Sequence, residues 1–106
     1  MAGMNLVSKW IRMEVVPMNY HYPIDESWSQ EEIITVIQFF NCIEKAYEHR
    51  IERQQMGEAY RAFKQVIPSK AEEKRLFRSF EKASSYAAYP VVKKAHSSEQ
   101  SYLSMS

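Results

Sequence analysis

A capped amphipathic stretch between Trp28 and Ile51 constrains this chain more than any other feature. Ser29 stands three residues before Glu32, so its hydroxyl can accept from the Glu32 amide while the Glu32 carboxylate reaches back to the cap's own amide. Trp28 and Ile33 hold the positions of a hydrophobic staple, and Glu31 and Glu32 place negative charge at the positive end of the helix dipole. Behind this start, Ile33, Val36, Ile37, Phe40, Ile43, Tyr47 and Ile51 recur at three- and four-residue steps and form one apolar stripe. Ile34, Phe39 and Cys42 widen the arc beyond what one partner helix covers. The pattern predicts a helix over 28–51 that is covered from two sides.

What can cover it is limited by length. A chain of 106 residues has room for one domain and one core. Two glycines and four prolines are too few for the many turns of a β-sandwich and suit helices. The net charge of +1 gives no global attraction to nucleic acid or to a membrane. No run approaches the ~18 apolar residues that a spanning helix needs. Lys9, Arg12 and Glu14 interrupt the N-terminal apolar segment before a signal-peptide core can form. Cys42 has no partner for an internal disulfide and falls in the apolar arc, as a buried thiol in a reducing compartment would. A cytoplasmic protein is expected.

Along the chain, residues 1–17 are apolar but irregular and close at Pro17, which reads as a leader or an upstream start. A single helical domain is expected over 18–96. Pro23 biases Tyr22 towards an extended conformation, so Tyr20 and Tyr22 are expected to lie along the helices as an aromatic strap. A second helix is predicted over Glu52–Ile67, with Met56, Ala59, Tyr60, Phe63, Val66 and Ile67 at helical spacing, and Pro68 stops it. Ser69 and Glu72 form a second capping box. The helix they open, Lys70–Ser84, is expected to bury Leu76, Phe77, Phe80 and Ala83. A short fourth helix is expected over Tyr86–Ala95, limited by Pro90. The serine-rich tail 97–106 shows no period, and disorder is expected there.

Several of these segments resemble one known family. Tyr22-Pro23-Ile24-Asp25, Trp28-Ser29, Glu31-Glu32, Phe39-Phe40 and Glu44-Lys45-Ala46-Tyr47-Glu48 are followed by Tyr60-x-x-Phe63-Lys64 and Val66-Ile67-Pro68-Ser69-Lys70-x-Glu72-Glu73-Lys74. In this order they resemble the uncharacterised protein family 0223, over about Asn19 to Lys94. The resemblance implies a small all-α cytosolic protein of low-GC Gram-positive bacteria, and it brings no activity, cofactor or catalytic residue. One departure stands out: Ser84-Ser85-Tyr86 occupies a place where a glycine is expected before the tyrosine.

The residues themselves offer little catalytic chemistry. His21, His49 and His96 lie far apart, and no His or Cys pair has ligand spacing. There is no glycine-rich phosphate loop. The Glu31/Glu32 and Glu72/Glu73 pairs are accounted for by helix starts. No catalytic, cofactor or metal residue is assigned, no cofactor is expected, and the chain reads as non-enzymatic.

Charge distribution is what rises above this background. Tyr20–Tyr60 carries eight acidic and three basic residues, whereas Arg61–His96 carries nine basic and three acidic. Lys70, Lys74, Arg78 and Lys82 stand four apart in the third helix, with Arg75 beside them, on an arc of about 140° opposite the apolar face. Glu81 dilutes that arc. The expected fold is therefore an all-α compact bundle of three main helices plus a short C-terminal fourth, preceded by the extended strap. Its core is expected to hold Trp28, Ile33, Val36, Ile37, Phe40, Ile43, Tyr47, Tyr60, Phe63, Ile67, Leu76, Phe77 and Phe80.

The corresponding function is a protein-interaction or regulatory module. Lys70, Lys74, Arg75, Arg78 and Lys82 are its candidate contact face towards an acidic protein partner, and self-association remains open. The alternatives are a nucleic-acid binder and a small enzyme with a site assembled from Tyr, His and Lys. The third helix lacks the Asn/Gln/Arg grouping at its start that base reading favours, which ranks nucleic acid below protein.

Overall fold

The computed structural model describes residues 22–105. Within them the chain runs α1 (Gln30–Glu48), β1 (Ile51–Glu52), α2 (Arg53–Val66), α3 (Lys70–Ser84), α4 (Ala88–Ser97) and β2 (Tyr102–Leu103). The all-α architecture is as expected, with a two-stranded antiparallel pair added at one end. The leader expected over 1–17, and Tyr20 of the strap, lie outside the described residues. Among the described residues no helix is long and apolar enough to cross a membrane.

The α1 start forms as its sequence dictates. The Ser29 amide donates to Glu32 Oε1 at 2.8 Å, and the Glu32 amide donates to Ser29 Oγ at 3.1 Å. The end differs from expectation. The helix stops at Glu48, with His49 as its C-cap at φ −141° and ψ −109°. Ile51 continues the apolar period but leaves the helix, pairs with Leu103 in β1–β2 and is buried there. At the second capping box only the serine half forms. Ser69 Oγ accepts from the Glu72 amide at 3.2 Å, while the Glu72 carboxylate turns outward to Arg75.

The core is an aromatic layer laid across three helices. Phe39 and Phe40 of α1 meet edge to face at 5.1 Å between ring centroids. Phe39 stacks on Phe63 of α2 at 4.4 Å, and Phe40 stacks on Phe80 of α3 at 4.4 Å. Both α1 rings are fully buried, each such ring contributing roughly 1.5–3 kcal/mol by leaving water. This is how the wide arc of α1 is covered from two sides. Tyr22 closes the layer, lying nearly parallel to Phe40 and Phe80. The expected strap is in place at this residue.

Eight of the expected core residues are buried: Val36, Phe40, Ile43, Phe63, Ile67, Leu76, Phe77 and Phe80. Trp28, Ile37, Tyr47 and Tyr60 pack against the core only partly buried, and Ile33 is likewise half-buried. Ala83 is exposed rather than buried. Phe39 and Met56, by contrast, are completely enclosed.

The expectation of a disordered tail from residue 97 is corrected. Leu103 has no exposed surface, and the chain around it is held by hydrogen bonds to the α1 end. Met105 N donates to the Ala46 carbonyl at 2.8 Å, and Ser104 Oγ donates to the His49 carbonyl at 3.1 Å. Arg53 N donates to Ser101 O at 2.8 Å. Carbonyls at a helix end lack intrahelical partners, and here the tail supplies them. A two-residue strand has no period to read, which is why the sequence pattern missed it.

Ser85 explains the departure at the α3–α4 junction. It caps α3 in the left-handed region at φ 72°, where glycine is the residue without steric cost. Ser84 secures the turn by donating to the Phe80 carbonyl and accepting from the Tyr86 amide.

Candidate interaction site

Helix α3 presents its basic residues in a row because Lys70, Lys74 and Arg78 are four apart. Each step advances about 6 Å along the axis and turns only about 40° around it. The start of α4 lies across from this row. Tyr47 of α1 fixes that start by donating its hydroxyl to the Ala87 carbonyl at 2.7 Å, while its ring stacks on Tyr86 at 4.7 Å. Tyr86 in turn donates to Glu48 at 2.8 Å. The α1 end thus sets where the α3–α4 junction stands.

Between the two helices lies a hollow of about 800 Å³. Lys70, Lys74 and Arg78 line one side, Phe77 the floor, and Ala88 and Tyr89 the opposite rim. Tyr89 is 56% exposed, the most exposed of the large apolar side chains among the described residues. Glu73 and Glu81 also reach the lining.

Glu73 is spoken for. Its side chain is 4% exposed, its Oε1 accepts from Lys64 Nζ at 2.5 Å, and its Oε2 accepts from the Tyr60 hydroxyl at 2.9 Å. Burial first, and then the Glu73 hydrogen bond, push the Tyr60 hydroxyl up to about 12. The sequence assigned Glu73 to the helix start; the structure places it beneath the groove as a buried anion neutralised from α2. Tyr60-x-x-x-Lys64 on one face of α2 is the signal that could have found its partners.

The five candidate residues do not form one surface. Lys70, Lys74 and Arg78 come together in the groove. Arg75 faces away, into a second hollow with Pro23, Ile24, Asp25 and Glu26, and pairs with Glu72 at 2.6 Å. The Asp25 carboxyl there is held below the usual carboxylate range by the Ser27 amide and hydroxyl, with a smaller contribution from Arg75. Lys82 is exposed in the last turn of α3, where its charge suits the helix dipole, and lies outside the groove lining. Phe77, Ala88 and Tyr89 complete the groove and were not among the candidates.

Among the described residues no three His, Cys, Asp or Glu side chains are grouped to hold a metal ion. Cys42 is buried, and that burial raises its thiol, which disfavours the thiolate.

Comparison with known proteins agrees with the reading of the motifs. The model of an uncharacterised protein family, UPF0223, matches residues 19–104. A UPF0223 protein of Oceanobacillus iheyensis is 53% identical over 88 residues, covering 83% of this chain and all of the relative. A Staphylococcus aureus relative of the same designation is 51% identical over 85 residues, 78% of this chain and 93% of its own. One from Streptococcus thermophilus is 47% identical over 87 residues, 82% of this chain and 94% of its own. The chain belongs to the uncharacterised bacterial protein family UPF0223.

Proposed function

We propose that this protein is a non-enzymatic docking module whose α3–α4 groove holds an acidic segment of a protein partner. The observation that carries the reading is the row Lys70, Lys74 and Arg78 along a hollow floored by Phe77 and rimmed by exposed Tyr89. Cations about 6 Å apart match carboxylates on alternate residues of an extended segment or four apart on a helix. The aromatic and alanine rim offers an apolar seat for a side chain between them. An apolar centre with a polar rim is the usual anatomy of a protein-recognition site. Glu81 at one end discriminates against a segment that is acidic throughout its length.

The Tyr60 phenol, pushed up to about 12, is a poor base and a poor nucleophile at neutral pH. The Glu73 carboxylate beside it uses both oxygens on Lys64 and Tyr60.

The test is affinity capture from a cytosolic extract with the native chain and with Lys74→Glu/Arg78→Glu, followed by mapping of the bound segment. The reading predicts an acidic segment, retained by the native chain, released by salt and lost from the variant. A partner held equally by the variant, or retention of RNA or DNA alone with a steep salt dependence, would overturn it.

A further inference from the structure

A third hollow lies between α2 and α4, with Tyr60 in its wall. Its volume is about 450 Å³. The α2 side is built by a symmetrical spacing, Arg53-x-x-x-Gly57-x-x-x-Arg61, which brings two guanidinium groups to one helix face with a glycine between them. His96 of α4 stands opposite, and the Tyr60 ring forms a wall, edge-on to the imidazole at 6.0 Å.

Gly57 keeps the middle of this face open. A Cβ there would stand 3.6 Å from Arg61 Nη1, an ordinary contact, so the Arg61 guanidinium lies over Gly57 and a longer side chain at this position would meet it. Arg53 is oriented by its own Nε, which donates to the Gln100 carbonyl at 3.0 Å and leaves the terminal nitrogens of the fork for other contacts. His96 is held by its Nδ1, 3.1 Å from the Val92 carbonyl. When Nδ1 donates there, Nε2 faces a ligand as an acceptor in the neutral ring and as a second donor in the imidazolium.

Nothing in the lining offsets this charge. The hollow contains no carboxylate. The nearest in sequence are Glu52, which makes no side-chain cap to α2, and Glu58, which accepts from Gln54 Nε2 at 3.2 Å. The first turn of α2 carries no acidic residue after its N-cap Glu52, and Arg53 alone among the basic residues stands at the positive end of the helix dipole. The positive charge in the lining favours a bound anion.

We propose that the hollow framed by Arg53, Arg61 and His96 over Gly57 binds the phosphate monoester of a small molecule. Two planar guanidinium forks and an imidazolium, approaching from two helices, suit the three outer oxygens of a tetrahedral dianion better than a planar carboxylate. The Tyr60 ring and Ala95 leave an apolar wall for a compact organic body. This site is separate from the acidic-segment groove and stands or falls apart from it.

The experiment is amide-resolved NMR titration of the full chain with inorganic phosphate and with ribose 5-phosphate at fixed ionic strength, with acetate as the comparison anion. The proposal predicts saturable shifts at Gln54, Gly57 and His96 for both phosphates and not for acetate. Arg61→Ala should weaken binding at least tenfold. So should Gly57→Glu, which places a carboxylate in the same space. Lys74→Glu/Arg78→Glu should bind phosphate as the native chain does. Arg61 is exposed, so its removal leaves the core intact, and preserved amide dispersion verifies this. Shifts that never saturate, that acetate reproduces, or that survive both substitutions in α2 would overturn the site. Saturation by a short RNA but by neither small phosphate would overturn it as well.

Discussion

The buried ion pair beneath the groove gives the most quantitative prediction. Glu73 is 4% exposed and depends on Lys64 of α2 for its counter-charge and on Tyr60 for one hydrogen bond. Lys64 is 24% exposed, and its ammonium also lies 3.4 Å from the Pro68 carbonyl. The two losses are therefore unequal. Lys64→Met leaves a buried carboxylate with one neutral donor and should cost about 3–4 kcal/mol. Glu73→Gln keeps an acceptor for Tyr60 and leaves a lysine that can turn to water, so it should cost about 1–2 kcal/mol.

The double variant Lys64→Met/Glu73→Gln carries neither charge and should cost about 1–2 kcal/mol, well short of the sum. The resulting coupling of roughly 3–4 kcal/mol lies at or just above the upper end for residues sharing one buried network. Urea denaturation followed by far-UV circular dichroism at pH 7 measures all four proteins, with equal m-values as the check on two-state behaviour. Additive single effects, or Lys64→Met costing less than Glu73→Gln, would refute the assignment of Glu73 as a buried anion neutralised from α2.

Further outcomes follow from the same contacts. Ser85→Gly should raise stability by about 0.5–1 kcal/mol, because it relieves a serine held at φ 72°; unchanged or lower stability in the same denaturation assay would contradict the cap. Leu103→Ala should cost about 2–5 kcal/mol for a fully buried leucine, whereas a disordered tail would leave stability untouched. Alkaline pH should destabilise the fold through Tyr60. Its folded-state hydroxyl is pushed up to about 12 from 10.0, so between about pH 10 and pH 12 the unfolded chain releases a proton that the folded chain keeps. Stability is full below pH 10 and falls as pH rises through that window. Tyr60→Phe should flatten the fall, as read by urea midpoints at successive pH values.

The helices were legible because their determinants are local. Ser29, Glu32, Pro68 and Ser69 mark starts and stops within a few residues, and the Lys70–Ser84 bounds follow from them directly. The end of α1 was not legible, since Ile51 satisfies the helical period and leaves the helix only because Leu103, far along the chain, pairs with it. The site divided in the same way. Periodicity put Lys70, Lys74 and Arg78 on one face. It could not show that Arg75 turns to Glu72 or that Tyr89 of the next helix forms the rim. Nor could it separate Glu72, a surface pair, from Glu73, a buried one, because neighbouring residues differ only in which way the helix turns them.

Photo-crosslinking from Tyr89 tests the docking account most directly. A photoreactive phenylalanine analogue at this exposed position stands on the groove rim without disturbing the core. The account predicts one crosslinked protein segment, acidic in sequence, formed in cells with the native basic row and abolished by Lys74→Glu/Arg78→Glu. A crosslink to a neutral or basic segment, or one that persists when the row is reversed, would contradict it.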